Sequence, residues 1–205
     1  MPQSRRSDHV PRGYNAISEL PGPVREKLLA YAELIRQWAP KLDLLAPGEP
    51  PRFERRHLED SLKALPLIDA CPEGPAIDVG SGAGLPGLPL AMAGSRPRSW
   101  RLLEPRRKRA GFLEEVVREL GLENVEIAAT TAEQAARADK RYVVATARAL
   151  APPTMAFSLL EPLLRPGGIA IVWLGESAEV PPEAVLSAPG LATMPKMAPN
   201  RKNLD

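Results

Sequence analysis

The stretch AIDVGSGAGLPGLPLA, Ala76 to Ala91, decides how the rest of the chain is read. Its first four residues form a short apolar run of the kind that fills a buried strand. Glycines follow at 80, 82, 84 and 87, and prolines stand at 86 and 89. Glycine lacks a Cβ and tolerates positive φ, so this cluster lets backbone rather than side chains approach a ligand. Pro86 suits the first turn of a helix, where its missing N–H costs nothing. Strand, glycine loop and helix in succession open the nucleotide-type sites of open α/β sheets.

The pattern on either side agrees with such a sheet. Strands are expected at 76–79, 99–103, 125–129, 142–147 and 168–173, and helices at 86–93, 106–120 and 152–164, with a short turn at 132–137. This alternation predicts an α/β fold: a Rossmann-like parallel sheet with right-handed crossovers and helices on both faces. Ahead of it, residues 21–39 place Val24, Leu28, Tyr31, Ile35 and Trp38 at helical spacing, and residues 53–65 do the same with Leu58, Leu62 and Leu65. The chain thus divides into a flexible lead (1–20), an N-terminal helical extension (21–70), the sheet core (71–175) and a Pro/Ala-rich tail (176–205). LAPGEPPRF (45–53) separates the two leading helices, and the tail, with weak periodicity, is the least folded-looking part.

Composition narrows the classes. With 205 residues and 44% apolar content the chain can bury one α/β core and a modest extension. The net charge is only +2, so any attraction to a polyanion must be local. One cysteine, Cys71, rules out an internal disulfide and fits a reducing compartment. One cysteine and two histidines, His9 and His57, build no zinc site, and no metal is expected. No apolar run has the length of a membrane span, and the N-terminus lacks the apolar segment of a secretion signal, so no membrane contact is expected and the reading is cytoplasmic.

The glycine spacing selects the ligand class. A dinucleotide fingerprint requires G-x-G-x-x-G, but here the order is G-x-G-x-G, with Leu85 following Gly84. The second strand ends in Glu104, 24 residues after Gly80, where a carboxylate would reach ribose hydroxyls. The third is followed by TTAEQAA, with Glu133 at the edge where an adenine could rest. Together these describe a nucleoside site without a phosphate cradle, and S-adenosylmethionine is the common cofactor of that shape.

RHLEDSL (56–62), DVGSGAGLPGLPLA (78–91), LLEPRRKRAGFL (102–113), ELGLENVEI (119–127) and ATARALA (145–151) carry a family resemblance. Over about residues 24–175 the chain resembles the bacterial 16S ribosomal RNA guanine-N7 methyltransferases, also called RsmG or glucose-inhibited division protein B. The resemblance implies cofactor contacts at Gly80 and Leu85, at Ala132 and Glu133, and at Arg148, with Glu104 in place of the family's usual aspartate; Ser81, Gly82 and Gly84 complete the expected cofactor-binding loop. Two positions depart from the family pattern. LDLL (42–45) stands where YNLT is usual, and VWLG (172–175) puts Leu174 where a lysine is usual. The tail also differs from the two closing strands of the family.

Methylation at guanine N7 uses a free lone pair and releases no proton, so no catalytic residue is assigned. His57 and Asp60, three residues apart on one helix face, could pair and point towards the site or, the reading preferred here, anchor the helical extension to the sheet. Arg148 is a candidate for the cofactor carboxylate, the base edge, or a structural ion pair. PRRKR (105–109) places Arg106, Arg107, Lys108 and Arg109 at a helix start, against the helix dipole, which suggests a polyanion partner. Arg52, Arg55, Arg56, Arg96, Arg98 and Arg101 are candidates to extend this patch. The expected partner is small-subunit ribosomal RNA or its particle, met by a monomer. The alternative is a divergent relative that binds S-adenosylmethionine but no longer methylates RNA. A small-molecule methyltransferase is disfavoured by the patch, and a nicotinamide-dependent oxidoreductase by the glycine spacing.

Overall fold

The computed structural model of the chain describes residues 16–45, 53–138, 141–175 and 178–197. Residues 1–15 of the expected lead, 46–52 with Arg52, and 176–177 and 198–205 of the expected tail lie outside the described residues.

Five short apolar runs form the parallel strands β1 (Ala76–Val79), β2 (Trp100–Leu103), β3 (Val125–Ala128), β4 (Tyr142–Arg148) and β5 (Leu164–Trp173). Two more, β6 (Val185–Ala188) and β7 (Leu191–Pro195), complete a seven-stranded sheet of order β3–β2–β1–β4–β5–β7–β6. β7 runs antiparallel to both β5 and β6. Strand order reverses between β1 and β4, so the loops leaving these neighbours diverge and open a crevice at their carboxyl ends. Alternate residues of β1 and β4 feed two cores. Ala76 and Val144 belong to the cluster containing the leading helices, whereas Ile77, Val79, Ala145 and Ala147 join Phe157 and Leu160 on the other face.

The leading helices pack against the sheet domain. Helix α1 (Gly22–Leu42) buries Leu28, Tyr31, Ala32, Ile35 and Ala39, the stripe its spacing predicts. It runs past the expected end at residue 39 because Pro40 forfeits only one N–H bond, and it closes on Asp43 in the left-handed region, whose N–H bonds to the Ala39 carbonyl at 3.1 Å. The expected second helix is broken. Residues Glu54–Leu58 make a π turn in which the Glu59 N–H reaches the Glu54 carbonyl, α2 (Glu59–Leu62) follows, and α3 (Leu65–Ala70) starts afresh with Pro66 in its first turn. Leu58, Leu62 and Leu65 are nonetheless buried.

After β1 come α4 (Gly87–Ala93), α5 (Arg107–Glu119), α6 (Ala132–Ala138) and α7 (Pro153–Leu160) in alternation with the strands. α6 is a full helix where only a short turn was expected. Within the tail read as weakly structured, residues 185–195 instead form β6 and β7. They meet at Pro189–Gly190, with Gly190 at φ +76, and Leu191 and Ala192 are fully buried beside β5. Among the described residues no helix is long and apolar enough to cross a membrane.

Candidate functional site

The glycine loop follows β1 and lies at the strand-order reversal. Gly80, Gly82 and Gly84 take φ of +69, +55 and +104, conformations that side chains strongly disfavour. The N–H groups of Gly80 and Ser81 both donate to the Leu103 carbonyl, at 2.9 and 3.0 Å, which fixes the loop to the end of β2. The Ser81 carbonyl accepts from the N–H of Gly84 and of Leu85. A Cβ on Gly80 would stand 2.5 Å from Leu150, and one on Gly84 2.4 Å from Leu88 and 3.0 Å from the Tyr31 hydroxyl. One on Gly82 would meet nothing closer than 3.9 Å. Gly80 and Gly84 are therefore required by packing, whereas Gly82 faces the open side.

Glu104 is buried beside this loop, with 4% of its surface exposed, and is not a solvated strand end. One carboxylate oxygen accepts the Gly82 N–H and the other the Arg106 N–H, each at 2.9 Å. It braces the loop and also places negative charge at the start of α5, against which the cations there would otherwise oppose the dipole. Each oxygen keeps a second lone pair for a ligand hydroxyl. Next to the loop, a cavity of about 130 Å³ is lined by Val79, Gly80, Leu103, Ala132, Glu133 and Leu150, among others. Ala132 is buried and Glu133 exposed in the first turn of α6, and Leu85 is buried under the loop. The Glu133 N–H and the Thr131 hydroxyl hold the Glu133 carboxyl below its usual range.

Sequence reasoning passed over a buried polar cluster beneath the loop. Asp78, inside the apolar run, is fully buried. Thr146 of β4 donates to one of its oxygens at 2.6 Å and the Gly87 N–H to the other at 3.3 Å. Burial raises its pKa to about 6, although the Ser81 and Thr146 hydroxyls, the Gly87 amide and the Arg148 charge offset part of the effect. Tyr31, also fully buried, donates from its hydroxyl to the Ala83 carbonyl at 2.6 Å, and burial first, then Asp78, pushes its pKa well up. The signal for Asp78 was available: a carboxylate in the middle of a strand that is otherwise apolar.

At the end of β4, Arg148 is engaged by the helical extension. Its guanidinium lies 3.3 Å from the Asp60 carboxylate and 2.9 Å from His57 Nδ1, and donates to the His57 carbonyl. The Trp173 indole N–H adds a bond to the Asp60 carbonyl at 3.0 Å. His57 and Asp60 thus join the extension to the end of β4 and to β5, the anchoring reading of the two. Arg106, Arg107 and Lys108 are exposed, and among the described residues none of them pairs with a carboxylate. Arg109 is half-buried, and its Nη2 donates to the Asp43 carbonyl at 2.5 Å.

Three candidate extensions of the patch lie elsewhere. Arg98 is buried and donates to the carbonyls of Ile68, Pro72 and Gly74, closing the end of α3. Arg96 donates to the Cys71 carbonyl, and Arg101 pairs with Glu126 at 3.5 Å. All three belong at or before the start of β2, the opposite edge of the sheet from the glycine loop. The Arg55 side chain lies outside the described atoms.

Compared with known proteins, residues 24–185 match the profile GidB, rRNA small subunit methyltransferase G. The chain belongs to this family. Its relatives include the Ribosomal RNA small subunit methyltransferase G of Streptomyces coelicolor, 41% identical over 77% of this chain and 65% of that protein. The Granulibacter bethesdensis protein of the same name is 39% identical over 75% and 70%, and that of Synechococcus elongatus 40% over 68% and 59%. The chain therefore spans about three fifths to seven tenths of the length of such relatives. Among solved structures, a Geobacter sulfurreducens methyltransferase superposes with a TM-score of 0.55 over 88% of this chain and 92% of its own, at 14% identity. A mutant of MtNAS crystallised with S-adenosylmethionine gives 0.57 over 85% and 76%, at 15% identity. These two likenesses show a shared Rossmann-like fold.

Proposed function

We propose that this chain is an S-adenosylmethionine-dependent methyltransferase acting on N7 of a guanine in 16S ribosomal RNA, free or within the small-subunit particle. The observation that carries the reading is the open side of Gly82, set against Glu104 and the neighbouring cavity, at the strand-order reversal of a sheet whose sequence falls in this family. Gly80, Ser81, Gly82, Gly84 and Leu85 shape the cradle, Glu104 takes the ribose hydroxyls, and Ala132 and Glu133 border the adenine. Arg148, held by Asp60 and His57, borders the same edge.

When bound, the cofactor supplies a methyl group already activated by its sulfonium. The protein's part is placement. Guanine N7 attacks through a lone pair and gives up no proton, so no side chain need act as a base. Holding N7 in line at contact distance contributes on the order of 7–11 kcal/mol at best. Arg106, Arg107, Lys108 and Arg109 draw the RNA backbone to this edge of the sheet. We place the protein in the cytoplasm as a monomer that needs no metal. Relatives about 40% identical all carry the methyltransferase name, which speaks against a relative that has lost the activity.

The test is methyl transfer from labelled S-adenosylmethionine to small-subunit RNA and particles lacking N7-methylguanosine, followed by nucleoside analysis. Label in N7-methylguanosine supports the reading. No incorporation into either substrate by protein that binds the cofactor overturns it.

A further inference from the structure

Arg109 reaches the glycine loop from α5 and Arg148 ends β4, and among the described residues only Arg148 has a carboxylate partner. Arg148 has the Asp60 carboxylate at 3.3 Å. Arg109 has no carboxylate partner among the described residues, although it is half-buried and projects from the first turn of α5 back towards the loop. Its Nη1 is the nearest side-chain atom to the open side of Gly82, 3.9 Å from where a Cβ would stand. Its Nη2 is pinned by the Asp43 carbonyl at 2.5 Å, so the fork is held in place from behind by the end of α1. Glu104 makes no ion pair with it; its two oxygens accept from the Gly82 and Arg106 amides.

A guanidinium carries five N–H donors in a plane, a geometry matched to a carboxylate. Here that fork is preorganised, partly desolvated and set beside the open side of Gly82. We infer that Arg109 is the carboxylate subsite of the candidate cofactor site: it receives the amino-acid end of the cofactor, in addition to bordering the RNA patch. The inference rests on the proposed cofactor. It separates Arg109 from Arg106, Arg107 and Lys108, which are exposed and serve RNA alone. It also assigns the carboxylate to an arginine at the start of α5 rather than to Arg148, whose guanidinium is already matched with an acid.

The experiment is calorimetric titration of the full chain with S-adenosylhomocysteine and with 5′-methylthioadenosine, which has the same nucleoside but no amino-acid end. The wild-type chain should prefer S-adenosylhomocysteine. Arg109→Met, which keeps the apolar stem, should weaken that ligand by about 10- to 100-fold, as expected for a charge-assisted bond. It should leave 5′-methylthioadenosine unchanged, and Arg109→Lys should restore part of the preference. Equal losses for both ligands would mean that Arg109 only shapes the loop, and would overturn the inference. So would no loss for either, including the case in which only RNA affinity falls. If the wild-type chain binds neither ligand, the cofactor reading itself fails and takes this one with it.

Discussion

Replacing Asp78 by asparagine should make the stability of the protein less dependent on pH. The Asp78 carboxyl is fully buried, and its pKa rises from an ordinary 3.8 to about 6. Below pH 4 the group is protonated in both folded and unfolded chains and burial of charge costs nothing. Between about pH 4 and pH 6 the unfolded chain releases a proton that the folded chain retains, so stability falls as pH rises. Above pH 6 both forms are ionised and the penalty is constant. A rise of this size corresponds to about 3 kcal/mol across the window.

An asparagine at this position would stay neutral and keep most of the local bonding. Its carbonyl oxygen can accept from Gly87, while Thr146 turns its hydroxyl towards the Ile77 carbonyl, which lies 3.4 Å away. Urea unfolding of both proteins at intervals from pH 4 to 7.5 measures the effect. The difference in stability, variant minus wild type, should climb by about 2.5 kcal/mol over this range, or about 1.2 M in midpoint for an m-value near 2 kcal/mol/M. Parallel curves for the two proteins would refute the argument, since they would mean that Asp78 titrates alike in both states.

Tyr31→Phe removes the donor to the buried Ala83 carbonyl and should cost about 1–3 kcal/mol in chemical denaturation, with the fold retained. Gly84→Ala should destabilise far more than Gly82→Ala, because only the first places its methyl within 3.0 Å of other atoms. The Gly82 variant should lose about 1 kcal/mol for its left-handed backbone, yet show a weaker melting-temperature gain with S-adenosylhomocysteine. Reversing both Arg107 and Lys108 to glutamate should lower the salt-dependence slope of RNA binding by about 1.5, measured by filter binding. The same change should raise stability by about 0.3–1 kcal/mol per site, because acids suit a helix start.

The sheet was legible because backbone chemistry announces it. A glycine cluster after an apolar run, repeated at the spacing of strand and helix, placed β1 and α4 to within one residue. β6 and β7 were hidden because Pro181, Pro182 and Pro189 flank runs with few β-branched residues, and their pairing comes from β5 rather than from their own propensity. The π turn at Glu54–Leu58 differs from an α turn by one residue of register, which an amphipathic pattern of five residues cannot resolve. At the site, the positions of Gly82 and Glu104 could be read, since both follow from strand ends. What could not be read was which charges the protein itself would neutralise. Arg98 and Arg148 look like their neighbours in sequence and differ only in the carbonyls and carboxylates that the fold brings to them.

The bonds joining α1 and the π turn to the rest of the molecule also set a timetable for synthesis. Tyr31 must wait for Ala83, Asp43 for Arg109, His57 for Arg148, and Asp60 for Trp173, separations of 52, 66, 91 and 113 residues. At ribosomal speed the last interval is on the order of ten seconds. Until Arg109 emerges, 66 residues after Asp43, the nascent α1 presents Leu28, Tyr31 and Ile35, each fully buried in the finished protein, to whatever surrounds the emerging chain. α1 is thus made well before the residues that cover it, and its apolar stripe is a part of the newborn protein that needs a temporary escort.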